Sequence, residues 1–240
     1  LEIQMERMKR KYGVGVTTHR RKIAYRETLT KLGEGQGRHK KQSGGRGQFG
    51  DCWVRLRPLP PGSGYQFKSS IKGGVIPSKY IPAVDRGIQE AAQGGVLSGF
   101  PLVDFEAECY DGSYHSVDSS ELAFKLAGSQ AFRSVAHKCR PVLLEPIIEV
   151  SVTTPDEYVG DIMSDINGRR GKVLGMEPKE GRTTVKALIP ESELYRYATS
   201  LRAITQGRAH HSRKDVGFDA VPEKEIPRLI ANNNENSSQV

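Results

Sequence analysis

The chain has 240 residues, 36% of them hydrophobic, with 36 Lys and Arg against 28 Asp and Glu and a formal net charge of +8. No apolar run approaches the length of a membrane span, and three cysteines without paired spacing exclude a disulfide framework and a cysteine-based zinc set. Residues 1–60 hold 15 Lys and Arg against 5 Asp and Glu, so the positive field is regional, as suits a face that approaches phosphate.

Leu1, Met5, Met8 and Tyr12 fall on one helical stripe that Gly13 is placed to end, and Val14, Val16, Ile23 and Tyr25 suggest extended chain. This opening, without an initiating methionine, reads as the middle of a larger protein. Polar, glycine-bearing residues from Thr28 to Gly37 suggest a boundary. Cys52, Val54 and Leu56 alternating with Trp53, Arg55 and Arg57 predict a half-buried strand, and Tyr65-Gln66-Phe67 a further extended segment after a turn-rich connection. Ile81, Val84, Ile88 and Ala92 mark one face of a helix over 80–93, ended by Gly94-Gly95. Val103 to Cys109 alternates as a strand, and Glu121 to Lys138 forms a helix burying some of Leu122, Phe124, Leu126, Phe132 and Val135.

Pro141 to Pro146 reads as a second boundary. The strand Ile147 to Thr153 follows, then a helix with Thr154 as N-cap, Pro155 in its first turn and the stripe Val159, Ile162, Met163 and Ile166. Lys172 to Met176 and Thr183 to Ile189 predict a hairpin, and Glu193 to Ile204 a second helix. The order strand, helix, strand, strand, helix, strand is the ferredoxin-like arrangement. The class is therefore α+β, with two domains after a short leading segment.

Two polar segments with glycine-rich flanks stand out: Ser43 to Gly50, preceded by Arg38-His39-Lys40-Lys41, and Asp111 to Ser120. Both read as loops projecting from a framework, the usual place for binding residues. Gly45-Arg46-Gly47-Gln48-Phe49-Gly50 fits a dinucleotide-binding spacing but lacks the strand before it and the helix after it, and no G-x-x-x-x-G-K-[ST] run exists to hold GTP. For RNA the same residues are apt. Glycine amides approach phosphate or ribose, Arg46 forks onto phosphate, and Gln48 donates to and accepts from a base edge or 2′-hydroxyl. Ser113, Tyr114 and His115 offer hydroxyl, ring and imidazole, while Arg38, Lys40 and Lys41 supply a sequence-indifferent electrostatic term. The bland alternative is a mobile, solvated loop. Cys109 with His115 as a nucleophile pair lacks an orienting third residue, and His210-His211 has no metal-ligand spacing.

Many blocks resemble the C-terminal part of elongation factor G: Ala24-Tyr25-Arg26-Glu27-Thr28, Ser43 to Gly50, Gly73-Gly74-Val75-Ile76-Pro77, Tyr80 to Val84, Tyr110 to Gly128, Leu144-Glu145-Pro146-Ile147, Gly168-Arg169-Arg170-Gly171, Leu174 to Pro178 and Tyr197-Ala198-Thr199. The Gln36-Gly37-Arg38-His39-Lys40-Lys41 lead-in is closer to a second, paralogous branch of that family. The resemblance implies residues 1–28 as the end of a third domain and 29–145 as a fourth domain like domain 2 of ribosomal protein S5. It implies 146–222 as a ferredoxin-like fifth domain, then a C-terminal helix and polar tail over 223–240.

It further implies a cytoplasmic, monomeric translocation factor whose partners are the ribosome, tRNA and mRNA, with no membrane and no metal. Arg46, Gly47, Gln48, Ser113, Tyr114 and His115 would be its tip, and Arg169, Arg170 and Lys172 a second RNA contact. GTP and magnesium would belong to a preceding domain, leaving no cofactor and no enzyme activity in this stretch. The rival expectations are a ribosome-recycling or stress paralogue, an RNA-processing enzyme and a purely structural RNA-binding module. The segment Ala209 to Asp215 departs from the hydrophobic edge strand usual in the family.

Overall fold

The computed structural model describes residues 2–15, 22–42 and 47–229. Helix α1 (Glu2–Tyr12) is followed, after a connection, by strand β1 (Arg26–Leu29). The first lobe is a four-stranded sheet in the order β2 (Gly33–Lys41), β3 (Gln48–Pro58), β5 (Phe105–Ser113), β4 (Tyr65–Ser69). β2, β3 and β5 run antiparallel, and β4 lies parallel to β5 because helix α2 (Ile81–Gln93) carries the chain back between them. α2 and α3 (Glu121–Ala136) cover one face, where Cys52, Val54, Leu56, Phe105 and Ala107 meet Val84, Ile88, Phe124, Phe132 and Val135. Leu122 stays exposed.

The stretch expected to be a boundary at Thr28 to Gly37 is structured throughout its second half, as β2. Its outward side chains are polar and its inward positions are glycines, since α3 lies too close for anything larger. A Cβ on Gly37 would sit 2.1 Å from the Ala127 carbonyl oxygen and 2.3 Å from the Ala131 nitrogen.

The second lobe begins with one long strand, β6 (Pro141–Pro155), running through the proline-bearing segment also expected to be a boundary. Helix α4 (Val159–Gly168), strands β7 (Lys172–Lys179) and β8 (Arg182–Pro190), helix α5 (Tyr197–Ile204) and strand β9 (His210–Ala220) complete the ferredoxin-like order. β6 is central, flanked by β8 and β9, with β7 outside β8 and β1 on Pro141 to Leu144. The core joins Ile148, Val150, Val152, Val185, Ala187 and Ile189 to Ile162, Ile166, Tyr197 and Leu201.

Three local expectations change. Thr154 is no N-cap: it is the penultimate strand residue, fully buried with its Oγ1 unpartnered, and a 3-10 turn (Asp156–Tyr158) precedes α4. The second helix begins only at Tyr197, because Arg196 adopts φ 54 after a 3-10 turn over Glu191–Leu194. The atypical segment after Arg208 does form the last strand, held by its ladder to β6 in place of apolar side chains.

A third cluster of Tyr25, Leu143, Val221 and Leu229, with Ile23, Phe100 and Ile226 against it, joins the lobes. Glu27 on β1 is fully buried, and its carboxylate accepts from the backbone N–H groups of Val96, Leu97, Ser98 and Phe100. That carboxylate fastens the segment after α2 to the strand that pairs with β6, so the two lobes share one hydrogen-bonded seam.

Candidate nucleic-acid interface

The two segments singled out in the sequence lie side by side at one end of the first lobe. The described part of one is the start of β3, and the other is the connection from β5 to α3. Both strands run further than expected: Arg38, Lys40 and Lys41 belong to β2, Gln48 opens β3, and Asp111 to Ser113 still pair with β3. Arg46, with Ser43 to Gly45, lies outside the described residues.

Backbone contacts lock the loops together. The Phe49 N–H donates to the Asp118 carbonyl at 2.9 Å, and the Ser119 hydroxyl donates to the Phe49 carbonyl at 3.0 Å while accepting from the His115 N–H at 2.9 Å. Tyr80 caps the junction through its hydroxyl on the Ser119 carbonyl. Gly47 lies close to the second loop: a Cβ there would come within 2.8 Å of the Asp118 carboxyl, which would have to swing aside. Sequence reasoning passed over Ser119; a serine two positions before the first helical residue carries no signal that its hydroxyl ties two loops. Ser120, next to it, caps α3 by accepting from the Ala123 N–H.

His115 Nδ1 accepts from the N–H groups of Val117 and Asp118 at 3.3 and 3.1 Å. An accepting Nδ1 carries no proton, so the neutral ring presents Nε2–H, and its side chain is 55% exposed. The alternative, with Nδ1 protonated against the Asp118 carboxylate at 3.5 Å, must give up both backbone bonds. Gln48 Oε1 lies 2.9 Å from His39 Nε2, and its amide N–H groups have no partner among the described residues. Tyr114 is 50% exposed. Ser113 is not available: its hydroxyl donates to Asp51 at 2.6 Å, and Gln36 donates to the other oxygen of the same buried carboxylate.

Arg38, Lys40 and Lys41 form no ion pair among the described residues; Arg38 lies 5.6 Å over the Phe49 ring. In the second lobe, Arg169 bonds Asp165 and the Glu193 carbonyl and lies over Tyr197. Arg170 makes a bidentate pair with Glu145 at 2.7 and 2.8 Å and also reaches Glu193. Both guanidiniums are consumed internally, so of the three residues proposed there only Lys172 stands exposed for RNA.

The thiols offer no nucleophile. Burial pushes Cys109 up to about 12 and Cys139 to about 11, and raises Cys52 as well, while His115 sits on the exposed loop. Among the described residues no group of three or more His, Cys, Asp or Glu could hold a metal ion, and no helix is long and apolar enough to cross a membrane.

The family model for elongation factor G, domain IV, matches residues 21–140, and that for the elongation factor G C-terminus matches 142–229. Elongation factor G from Aquifex pyrophilus is 48% identical over 230 residues, which is 96% of this chain and 33% of the relative. A crystal structure of a protein from Thermus thermophilus superposes with a TM-score of 0.83 at 45% identity, covering 98% of this chain and 35% of that one. The chain thus spans about a third of the length of the relatives it matches.

Proposed function

The chain belongs to the elongation factor G family, and from that premise we propose that its paired loops act as the tip that follows the tRNA–mRNA duplex during translocation on the ribosome. The observation that carries this reading is the Phe49–Asp118 junction, which holds the Gln48 amide and the His115 Nε2–H on one projecting end. Both are neutral donors suited to ribose, phosphate or a base edge without a fixed charge, and so serve any codon. Arg38, Lys40 and Lys41 behind them add attraction that is indifferent to sequence.

The action is steric and electrostatic: occupying the space behind the moving duplex keeps it from slipping back. GTP and its magnesium would be bound and hydrolysed elsewhere in the longer cytoplasmic factor. Nothing in this stretch takes the part of catalyst. Lys172 is the one residue of the second lobe retained as an RNA contact.

The test is kinetic. In the full-length factor, Gln48→Ala and His115→Ala are each expected to slow translocation while ribosome-stimulated GTP hydrolysis stays near the parental rate. One neutral hydrogen bond, worth about 0.5–1.5 kcal/mol, corresponds to a few-fold to about tenfold loss. Translocation at the parental rate, or an equal loss of hydrolysis, would favour a recycling or purely structural role.

A further inference from the structure

The face of the first sheet turned away from α2 and α3 carries the chain's single tryptophan. Trp53 is 36% exposed on β3 and sits 6.5 Å from the Tyr110 ring of β5. About a third of the indole's surface remains open on a solvated sheet face, where a further flat ring can cover it. The charges around it are sorted. Away from the tip, Arg55 pairs with Glu34 and Glu108, and Arg57 with Glu106 and Glu108, so that half is neutralised internally.

Toward the tip the balance changes. Gln36 lies directly across from Trp53 on edge strand β2, and Arg38 and Lys40 follow it on the same face with no carboxylate paired to either among the described residues. Two acids share this face: Asp51, across from Arg38, is buried and accepts from Gln36 and Ser113, and the exposed Asp111, across from Trp53 on β5, accepts from the Gly112 N–H. The Arg55 guanidinium lies 4.6 Å over Tyr110, which fixes that ring beside the indole.

We propose that this open sheet face is a second RNA-binding surface, continuous with the tip through Arg38 and Lys40, on which Trp53 stacks an unpaired base of a single-stranded segment while those two cations hold its backbone along β2. The arrangement has what single-strand recognition requires: an aromatic face at the centre of a sheet and unpaired cations on the adjacent strand, two and four residues beyond the position across from it. A duplex would not fit the scheme, because its bases are already stacked on each other.

The sole indole makes the test direct. The intact chain is titrated at low salt with a 12-nucleotide oligo(A), unlabelled for tryptophan fluorescence and end-labelled for anisotropy. Saturable quenching is expected, with about tenfold weaker binding for Trp53→Ala, the scale of one stacked base, and a smaller loss for Trp53→Phe. Arg38→Ala with Lys40→Ala should flatten the salt slope by roughly 1.4, about 0.7 for each phosphate left without its cation. Because the quenching reads Trp53 itself, its outcome is separable from that of the translocation test. Anisotropy binding without quenching, equal affinity of Trp53→Ala once its melt shows it folded, equal quenching by a duplex, or no binding would each overturn the proposal.

Discussion

The backbone N–H of Phe49 and the carbonyl of Asp118 meet at 2.9 Å, and that bond ties the start of β3 to the connection before α3. Ser119 doubles the tie through its hydroxyl, which is buried between Phe49 and His115.

Ser119→Ala is therefore expected to lower stability by about 1–3 kcal/mol, since the Phe49 carbonyl and the His115 N–H both lose a partner away from water. A thermal melt reads the loss, and amide exchange reads its location: His115 should exchange faster while amides of β7 stay as they were. Unchanged exchange at His115 would mean that Ser119 does not hold the loops.

Gly37→Ala should be among the most damaging single substitutions in the first lobe. The new methyl would meet helix backbone at 2.1 and 2.3 Å, so α3 must move away from β2, at a cost of about 1–3 kcal/mol or more. Gly160→Ala in α4, where nothing lies within 4 Å, is the matched control and should be neutral or slightly stabilising. Similar melting shifts for the two would show that the closeness of α3 is not what selects glycine.

That glycine also explains what the sequence concealed. Helix α4 was legible from Val159, Ile162, Met163 and Ile166, and β8 from its alternation of buried Val185, Ala187 and Ile189, because in both the side chains themselves meet the core. β2 was not, since its inward face is bare backbone against Ala127 and Ala131. β9 was obscured for the opposite reason: polar His211 and Arg213 take the inward positions over Tyr197. At the site, the exposed tip residues could be named from loop chemistry, whereas the fates of Ser113, Arg169 and Arg170 depend on Asp51, Glu145 and Glu193, acids that only the fold brings near.

Arg170→Met should destabilise the second lobe by about 3–5 kcal/mol, because the Glu145 carboxylate, its side chain 3% exposed, would be left buried without its counter-charge. Replacing Glu145 with Gln in the same chain should return part of the loss, an outcome that urea melts of the single and double variants measure. Lys172→Ala should do the reverse of Arg170→Met, leaving stability alone while weakening any RNA contact of this lobe. A stable Arg170→Met variant with impaired RNA binding would show that the guanidinium faces outward.

His211 gives the second lobe a dependence on pH with a definite sign. Its ring packs edge-on against the buried Tyr197 with centroids 5.1 Å apart, and Arg213 Nε lies 3.3 Å from its Nε2, so that nitrogen accepts. Burial, then the positive charge of Arg213 and the neighbouring His210, hold its pKa below the ordinary 6.5. Above 6.5 the ring is neutral in both folded and unfolded chains and contributes nothing that varies with pH. As pH falls through 6.5 the unfolded chain takes up a proton that the folded chain refuses, so stability drops until the folded value is reached. Glu108, held below its usual range chiefly by the Ser70 hydroxyl, acts in a separate window below 4.5. His211→Phe keeps an aromatic edge on Tyr197 and removes the titration, so its melting temperature should fall less between pH 7.5 and pH 5 than that of the parent chain. A variant that loses as much stability as the parent over that interval would place the responsible proton on another group.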